Sequence, residues 1–151
     1  MRRFSTETEA FLKKAGWRKG RAVNIDDYVQ FLKNETFDIP KTVINFLREF
    51  GGLKVVHPHA KVPGKMDFFS FNVKKAIQDH DPLWVKEEYS NRVGKQLCII
   101  GQAFRDYMVL SMSEDSEVFA GFDDILVYVG SSGDQAIENL CLGKELKEIR
   151  E

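Results

Sequence analysis

Ala15-Gly16-Trp17-Arg18-Lys19-Gly20-Arg21 and, further along, Arg48-Glu49-Phe50-Gly51-Gly52-Leu53 are the two stretches whose reading decides the fold. Both are glycine-punctuated turns, and each follows a run of apolar residues at helical spacing. Ala10, Phe11, Leu12 and Ala15 precede the first; Val43, Ile44, Leu47 and Phe50 precede the second. Glycine tolerates the left-handed backbone that ends a helix, so Gly16 and Gly51 read as terminators, with Gly52 adding slack. The chain therefore opens with a helical layer. Thr6-Glu7-Thr8-Glu9 reads as a capping box for the first helix, Asn24 or Asp26 as the cap of a second carrying Tyr28, Phe31 and Leu32, and Pro40 as the start of the third.

Beyond Leu53 the periodicity changes. Lys54-Val55-Val56 and Asp67 to Phe71 read as short strands flanking a loop with Pro58 and Pro63. Val73 to Val93 reads as helical, interrupted at Asp81-Pro82. Leu97 to Ile100, Tyr107 to Met112, Glu117 to Phe122 and Leu126 to Val129 then follow with short connections, the pattern of an antiparallel meander. Met108, Leu110 and Met112 alternate with Tyr107, Val109 and Ser111, which predicts a core on one face and a partly polar second face. A last helix is capped near Ser131 to Asp134 and stops at Gly143. The expected class is α+β: one domain over residues 1–151, with N-terminal helices, a mainly antiparallel sheet of about five to six strands, an intervening helical segment and a C-terminal helix.

Composition supports a folded, cytoplasmic chain. Twelve phenylalanines supply core material, and no apolar window approaches the length of a membrane span. Cys98 and Cys141 stand singly among apolar residues, which fits reduced core thiols. Net charge is −1, but unevenly spread. From Asp106 to Gly143 there is no Lys, Arg or His, whereas Asp106, Glu114, Asp115, Glu117, Asp123, Asp124, Asp134 and Glu138 are acidic. The first 21 residues reverse this with Arg2, Arg3, Lys13, Lys14, Arg18, Lys19 and Arg21. A surface of the first kind repels nucleic acid and attracts basic proteins, although acids of this sort also solvate turns and strand edges.

No motif spells out a reaction. His57-Pro58-His59 places two imidazoles on one side of an extended segment, and with a carboxylate or His80 they form the one candidate metal site, hence a small metal-dependent hydrolase as an alternative. Gly130-Ser131-Ser132-Gly133-Asp134 lacks the Lys of a nucleotide loop and reads as a turn with a helix cap. Asp123-Asp124 reads as a solvated turn, and no cofactor is expected. Trp17 is suited to packing the first turn on the core and Arg21 to pairing with a carboxylate or a helix C-terminus; Trp and Arg are also the residue types that anchor protein interfaces.

Ala15-Gly16-Trp17 with Gly20-Arg21, followed by Phe46-Leu47 running into Phe50-Gly51-Gly52-Leu53, resembles the SUKH superfamily, and within it the third subfamily. The order of elements is similar as well, and the resemblance covers essentially the whole chain. It implies a non-enzymatic immunity protein of bacteria that neutralises a cognate polymorphic or contact-delivered toxin by binding it. A nuclease toxin suits the charge, because its basic substrate surface complements acids. The expected contacts are Asp106, Glu114, Asp115, Glu117, Asp123 and Asp124, with Trp17 and Arg21 as further candidates. The alternative from the same resemblance is a regulatory adaptor of an endogenous partner. Neither direct nucleic-acid contact nor a membrane is expected, and the sequence leaves the oligomeric state open.

Overall fold

The computed structural model describes residues 3–150; Met1, Arg2 and Glu151 lie outside the described residues, so the basic character assigned to Arg2 is not placed. Three helices come first, α1 (Thr6–Ala15), α2 (Asp26–Asn34) and α3 (Lys41–Phe50). Strands β1 (Lys54–Pro58) and β2 (Met66–Ser70) lead into α4 (Val73–Asp79), a π-helical stretch Trp84–Tyr89, and the short α5 (Ser90–Val93). Then come β3 (Leu97–Ala103), β4 (Met108–Ser113), β5 (Val118–Phe122), β6 (Ile125–Gly130), α6 (Gly133–Cys141) and β7 (Lys147–Glu148). The seven strands form one antiparallel sheet in sequential order, one or two more than the sequence pattern predicted. The extra strand, β7, is two exposed residues paired to Val127 and Tyr128, too short to carry a period of its own.

The α1 terminator is a Schellman motif. Gly16 sits at φ 111°, its N–H bonds Lys13 O at 3.0 Å, and Trp17 N–H bonds Leu12 O at 2.9 Å. The cap at the other end differs from the predicted box: Ser5 occupies the cap position and its Oγ accepts from Thr8 N, so Thr6 is already helical. At α2 the cap position is Ile25, and Asn24 instead accepts from Asp26 N at 2.8 Å. Pro40 caps α3 without a side-chain bond. At the α3 terminus the two glycines exchange roles. Gly51 is extended at φ −55°, and Gly52 takes the left-handed conformation at φ 84°. Gly51 is required for space, since a Cβ there would lie 2.4 Å from Leu47 O.

Helices cover both faces of the sheet. Phe46 of α3 and Met112 of β4 both crowd Gly133 of α6, whereas Gly121 of β5 lies under the ring of Tyr89 from the π-helical stretch. Val109 pairs with Gly121, and Met112 has the opposite parity on the strand, so α3 and α6 cover one face and the π-helical stretch the other. Every residue of β4 is consequently buried, and the partly polar second face, with Ser111 and Ser113, is covered by helix and not open to solvent. Cys98 and Cys141 are buried free thiols whose pKa values burial pushes up to about 12.

The two histidines of the candidate metal site diverge. His57 is 3% exposed, with Nδ1 2.9 Å from Pro58 O and Asp67 as its cross-strand partner. His59 lies past the end of β1 and accepts the Lys61 and Val62 N–H groups through Nδ1, both at 3.1 Å. Burial holds the His57 pKa below the ordinary histidine value. The unfolded chain then takes up the proton first as pH falls through about 6.5, so His57 subtracts stability from there down to its lower folded value. We expect the urea midpoint to fall between about pH 7.5 and about pH 5.5, and His57→Leu to shrink that difference. An equal difference in the variant would assign the acid sensitivity elsewhere.

Candidate functional site

The acidic run that is continuous in sequence is split in space. Strands β4 and β5 are paired antiparallel, so the turn before β4 and the turn after β5 meet at one end of the sheet, and the β4–β5 turn projects from the other. Glu114, Asp115 and Glu117 are on the β4–β5 turn. Asp106, Asp123 and Asp124 are at the opposite end, about 20 Å away by the rise of a six-residue strand.

At the β4–β5 turn the predicted hairpin forms, with Ser116 N–H on Ser113 O at 3.0 Å and Ser113 Oγ on Asp115 Oδ1 at 2.5 Å. Lys95, just before β3, reaches across and bonds both Asp115, at 2.7 Å, and Glu117. That ammonium, followed by the Ser113 hydroxyl, lowers the Asp115 pKa, and the two carboxylates raise that of Lys95. Glu114 is exposed beside them, on a broad groove shared with Asp38, Ile39, Pro40 and Gln96. Two of the three acids here therefore share one cation that the sequence run does not contain, which offsets half of their charge.

The opposite end combines acids with aromatic surface. Tyr107 is 57% exposed and stacks on Phe122 at 4.4 Å. Asp123 and Asp124 follow Phe122 and are exposed. Their carbonyls fasten this turn to the helical layer: Tyr89 O–H donates to Asp123 O and Arg92 Nη1 to Asp124 O, both at 2.7 Å. Burial raises the Tyr89 pKa and keeps the phenol a donor. Tyr89 stacks at 6.0 Å on Trp84, whose neighbour Leu83 is 52% exposed, and Asp81, Glu87 and Glu88 line the shallow groove around them.

Asp106 closes this region from the other side. It bonds Lys75 at 3.1 Å, and Lys75 also holds Asp79 at 2.5 Å, an interaction that lowers the Asp79 pKa. His80 Nε2 lies 2.8 Å from Gln102 Oε1 and 3.2 Å from Asp106 O, two acceptors that require the proton on that nitrogen. Phe104, Arg105 and Asp106 all have positive φ, at 56°, 56° and 66°, and Asp123 at 49°. Non-glycine residues rarely adopt this conformation, so the surrounding contacts must hold these turns in place.

Trp17 and Arg21 are elsewhere. Trp17 is 7% exposed, and its indole N–H bonds Glu49 Oε2 at 3.0 Å. Arg21 directs its fork onto the last carbonyls of α3, Nη1 to Glu49 O at 2.5 Å and Nη2 to Gly51 O at 2.9 Å. One turn thus seals the other, as the helix dipole favours. Ser132 caps α6 through Gln135 N at 3.1 Å, as the Gly130 to Asp134 segment predicts. Among the described residues, no group of three His, Cys, Asp or Glu side chains is placed to hold a metal ion, and no helix is long and apolar enough to cross a membrane.

Sequence reasoning missed Leu83, Trp84 and Tyr107. Trp84 and Tyr89 are five apart, a spacing that only the wider π turn brings onto one side. Tyr107 is assigned by its alternation to a strand, but β4 begins one residue later.

Compared with known proteins, the chain matches the family model described as SUKH-3 immunity protein over residues 4–143. Neither the curated proteins nor the solved structures gave a match.

Proposed function

Because the chain belongs to the SUKH-3 immunity protein family, we propose that it neutralises a cognate toxin domain by binding it, and that this domain is a nuclease. The observation that carries the nuclease reading is the Asp106 to Gly143 stretch, which sets six acids on the turns at the two ends of the sheet and two more, Asp134 and Glu138, on α6, without one Lys, Arg or His of its own. An acidic surface complements the cationic surface with which a nuclease holds phosphates, and covering that surface excludes the substrate. No chemistry by the immunity protein is needed: binding alone inhibits. The site of action is the cytoplasm of the producing cell, where its nucleic acids are.

Co-expression with the toxin domain encoded by the neighbouring gene tests this. The expected result is restored growth, a stable complex of the two purified proteins, and loss of nucleic-acid cleavage in proportion to the immunity protein added. Continued killing with no complex would reject the immunity reading. Rescue of a toxin that does not cleave nucleic acid would reject the nuclease alone.

A further inference from the structure

We infer that the toxin is gripped at the end of the sheet formed by the 104–107 and 123–124 turns and the π-helical stretch, with Tyr107, Leu83 and Trp84 as apolar anchors and Asp81, Glu87 and Asp124 as the acidic rim. The proposal rests on the immunity reading and names the surface that carries it out. Three observations favour this end over the β4–β5 turn.

The first is exposed apolar area. Tyr107 and Leu83 are 57% and 52% exposed, and Trp84 is partly exposed beside its stacking partner Tyr89. An apolar, aromatic centre rimmed by polar groups is the composition of a protein contact surface, whereas acids alone are equally compatible with a solvated turn. The groove at the β4–β5 turn offers Ile39 and Pro40, both partly buried, in their place.

The second is the state of the local cations. Arg92 is turned inward, its side chain 5% exposed and bonded to the carbonyls of Asp124 and Ile149. Lys75, 49% exposed, is held between Asp79 and Asp106, and Arg105, exposed in the 104–107 turn, bonds Met66 O. Asp81, Glu87 and Asp124 are left facing solvent. At the β4–β5 turn Lys95, 39% exposed, is seated in the same way on Asp115 and Glu117, and Glu114 is the turn acid left without it. The exposed Asp81, Glu87 and Asp124 left around the apolar residues of the first end fit a basic protein surface as its occupant.

The third is rigidity. The Tyr89 phenol bonds Asp123 O, its ring fills the space over Gly121, and Arg92 fixes Asp124 O. The anchors are thus presented on a surface already ordered before binding, which lowers the entropic cost of association.

The test measures affinity and association rate for the catalytically inactive toxin domain of the neighbouring gene, with folding of each variant checked by its melting curve. Leu83→Asp and Tyr107→Ala, both at exposed positions, are each expected to weaken binding at least about tenfold. Glu87→Lys with Asp124→Lys is expected to slow association, most at low salt. Glu114→Lys should leave both within about twofold. Wild-type affinity in the three corner variants, or a loss confined to Glu114→Lys, would overturn this surface while leaving the immunity reading intact. Conversion of a wild-type dimer to monomer by Leu83→Asp, with toxin affinity unchanged, would also overturn it by assigning the surface to a second copy of the chain. Absence of any binding by the wild-type protein would instead reject the immunity reading.

Discussion

Trp17→Ala is expected to destabilise the protein by about 3–5 kcal/mol, the range for removing a large aromatic from a core. The ring is a shared wall between α1 and α3. It meets Phe4 edge-on at 5.7 Å, lies parallel to Phe50 at 6.5 Å, and donates its indole N–H to Glu49. Truncation empties that space and removes one partner of a carboxylate that also receives Arg3 at 2.8 Å. The Schellman turn fixes the backbone at Trp17, so α1 cannot slide to refill the void without breaking the bonds to Leu12 O and Lys13 O. Trp17→Phe keeps most of the ring and loses the hydrogen bond to the carboxylate, a smaller loss of about 1.5–3 kcal/mol. Urea unfolding of the three proteins checks the order. A loss below about 1 kcal/mol for Trp17→Ala would show that the ring is not an essential part of the helical layer. Toxin affinity of the folded Trp17→Phe protein separates this role from that of an interface anchor: a structural Trp17 leaves it unchanged.

The helical layer was legible in the sequence because its signals are local. Gly16 stops a helix by its own conformational freedom, and Val43, Ile44, Leu47 and Phe50 lie on one face by spacing alone, although the structure buries Phe46 more deeply than Ile44. Local information also produced the errors. Assigning the left-handed turn to Gly51 chose between two adjacent glycines that spacing does not distinguish; Gly52 takes that conformation, and Gly51 is needed for space beside Leu47 O. The alternation along β4 and the helical pattern of Val73 to Val93 were both readable, but neither says that this helical segment packs over the second, partly polar face of the strand. The surface was harder still. Lys75, Lys95 and Arg3 come from outside the acidic run and bond Asp106, Asp115 with Glu117, and Asp134 respectively, so sequence charge and surface charge differ. Which acids stay unneutralised depends on antiparallel pairing that joins distant turns, and no window of sequence contains that pairing.

Gly121→Ala is the substitution through which the fold and the proposed surface can be tested together, with an expected cost of about 2–4 kcal/mol. A Cβ at this position would lie 2.4 Å from Cε2 and Cζ of Tyr89 and 2.8 Å from its hydroxyl oxygen. The ring has no free direction in which to retreat. It is 1% exposed, stacked on Trp84, and tied by its O–H to Asp123 O at 2.7 Å. Relief of the clash therefore requires either the hydrogen bond to break or the π-helical stretch to lift from the sheet. A double-mutant cycle identifies the cause. In a Tyr89→Leu background the ring atoms are gone, and Gly121→Ala should cost less than half as much; purely additive costs would show that the strain lies in the β5 backbone. The same displacement moves Trp84 and loosens the Asp123-Asp124 turn. Gly121→Ala should then also weaken toxin binding under conditions where the variant remains folded, while an equally destabilising truncation on the other face, Val43→Ala in α3, should leave affinity unchanged. Equal affinity in both proteins would separate the packing of Tyr89 from recognition and leave it a purely structural contact.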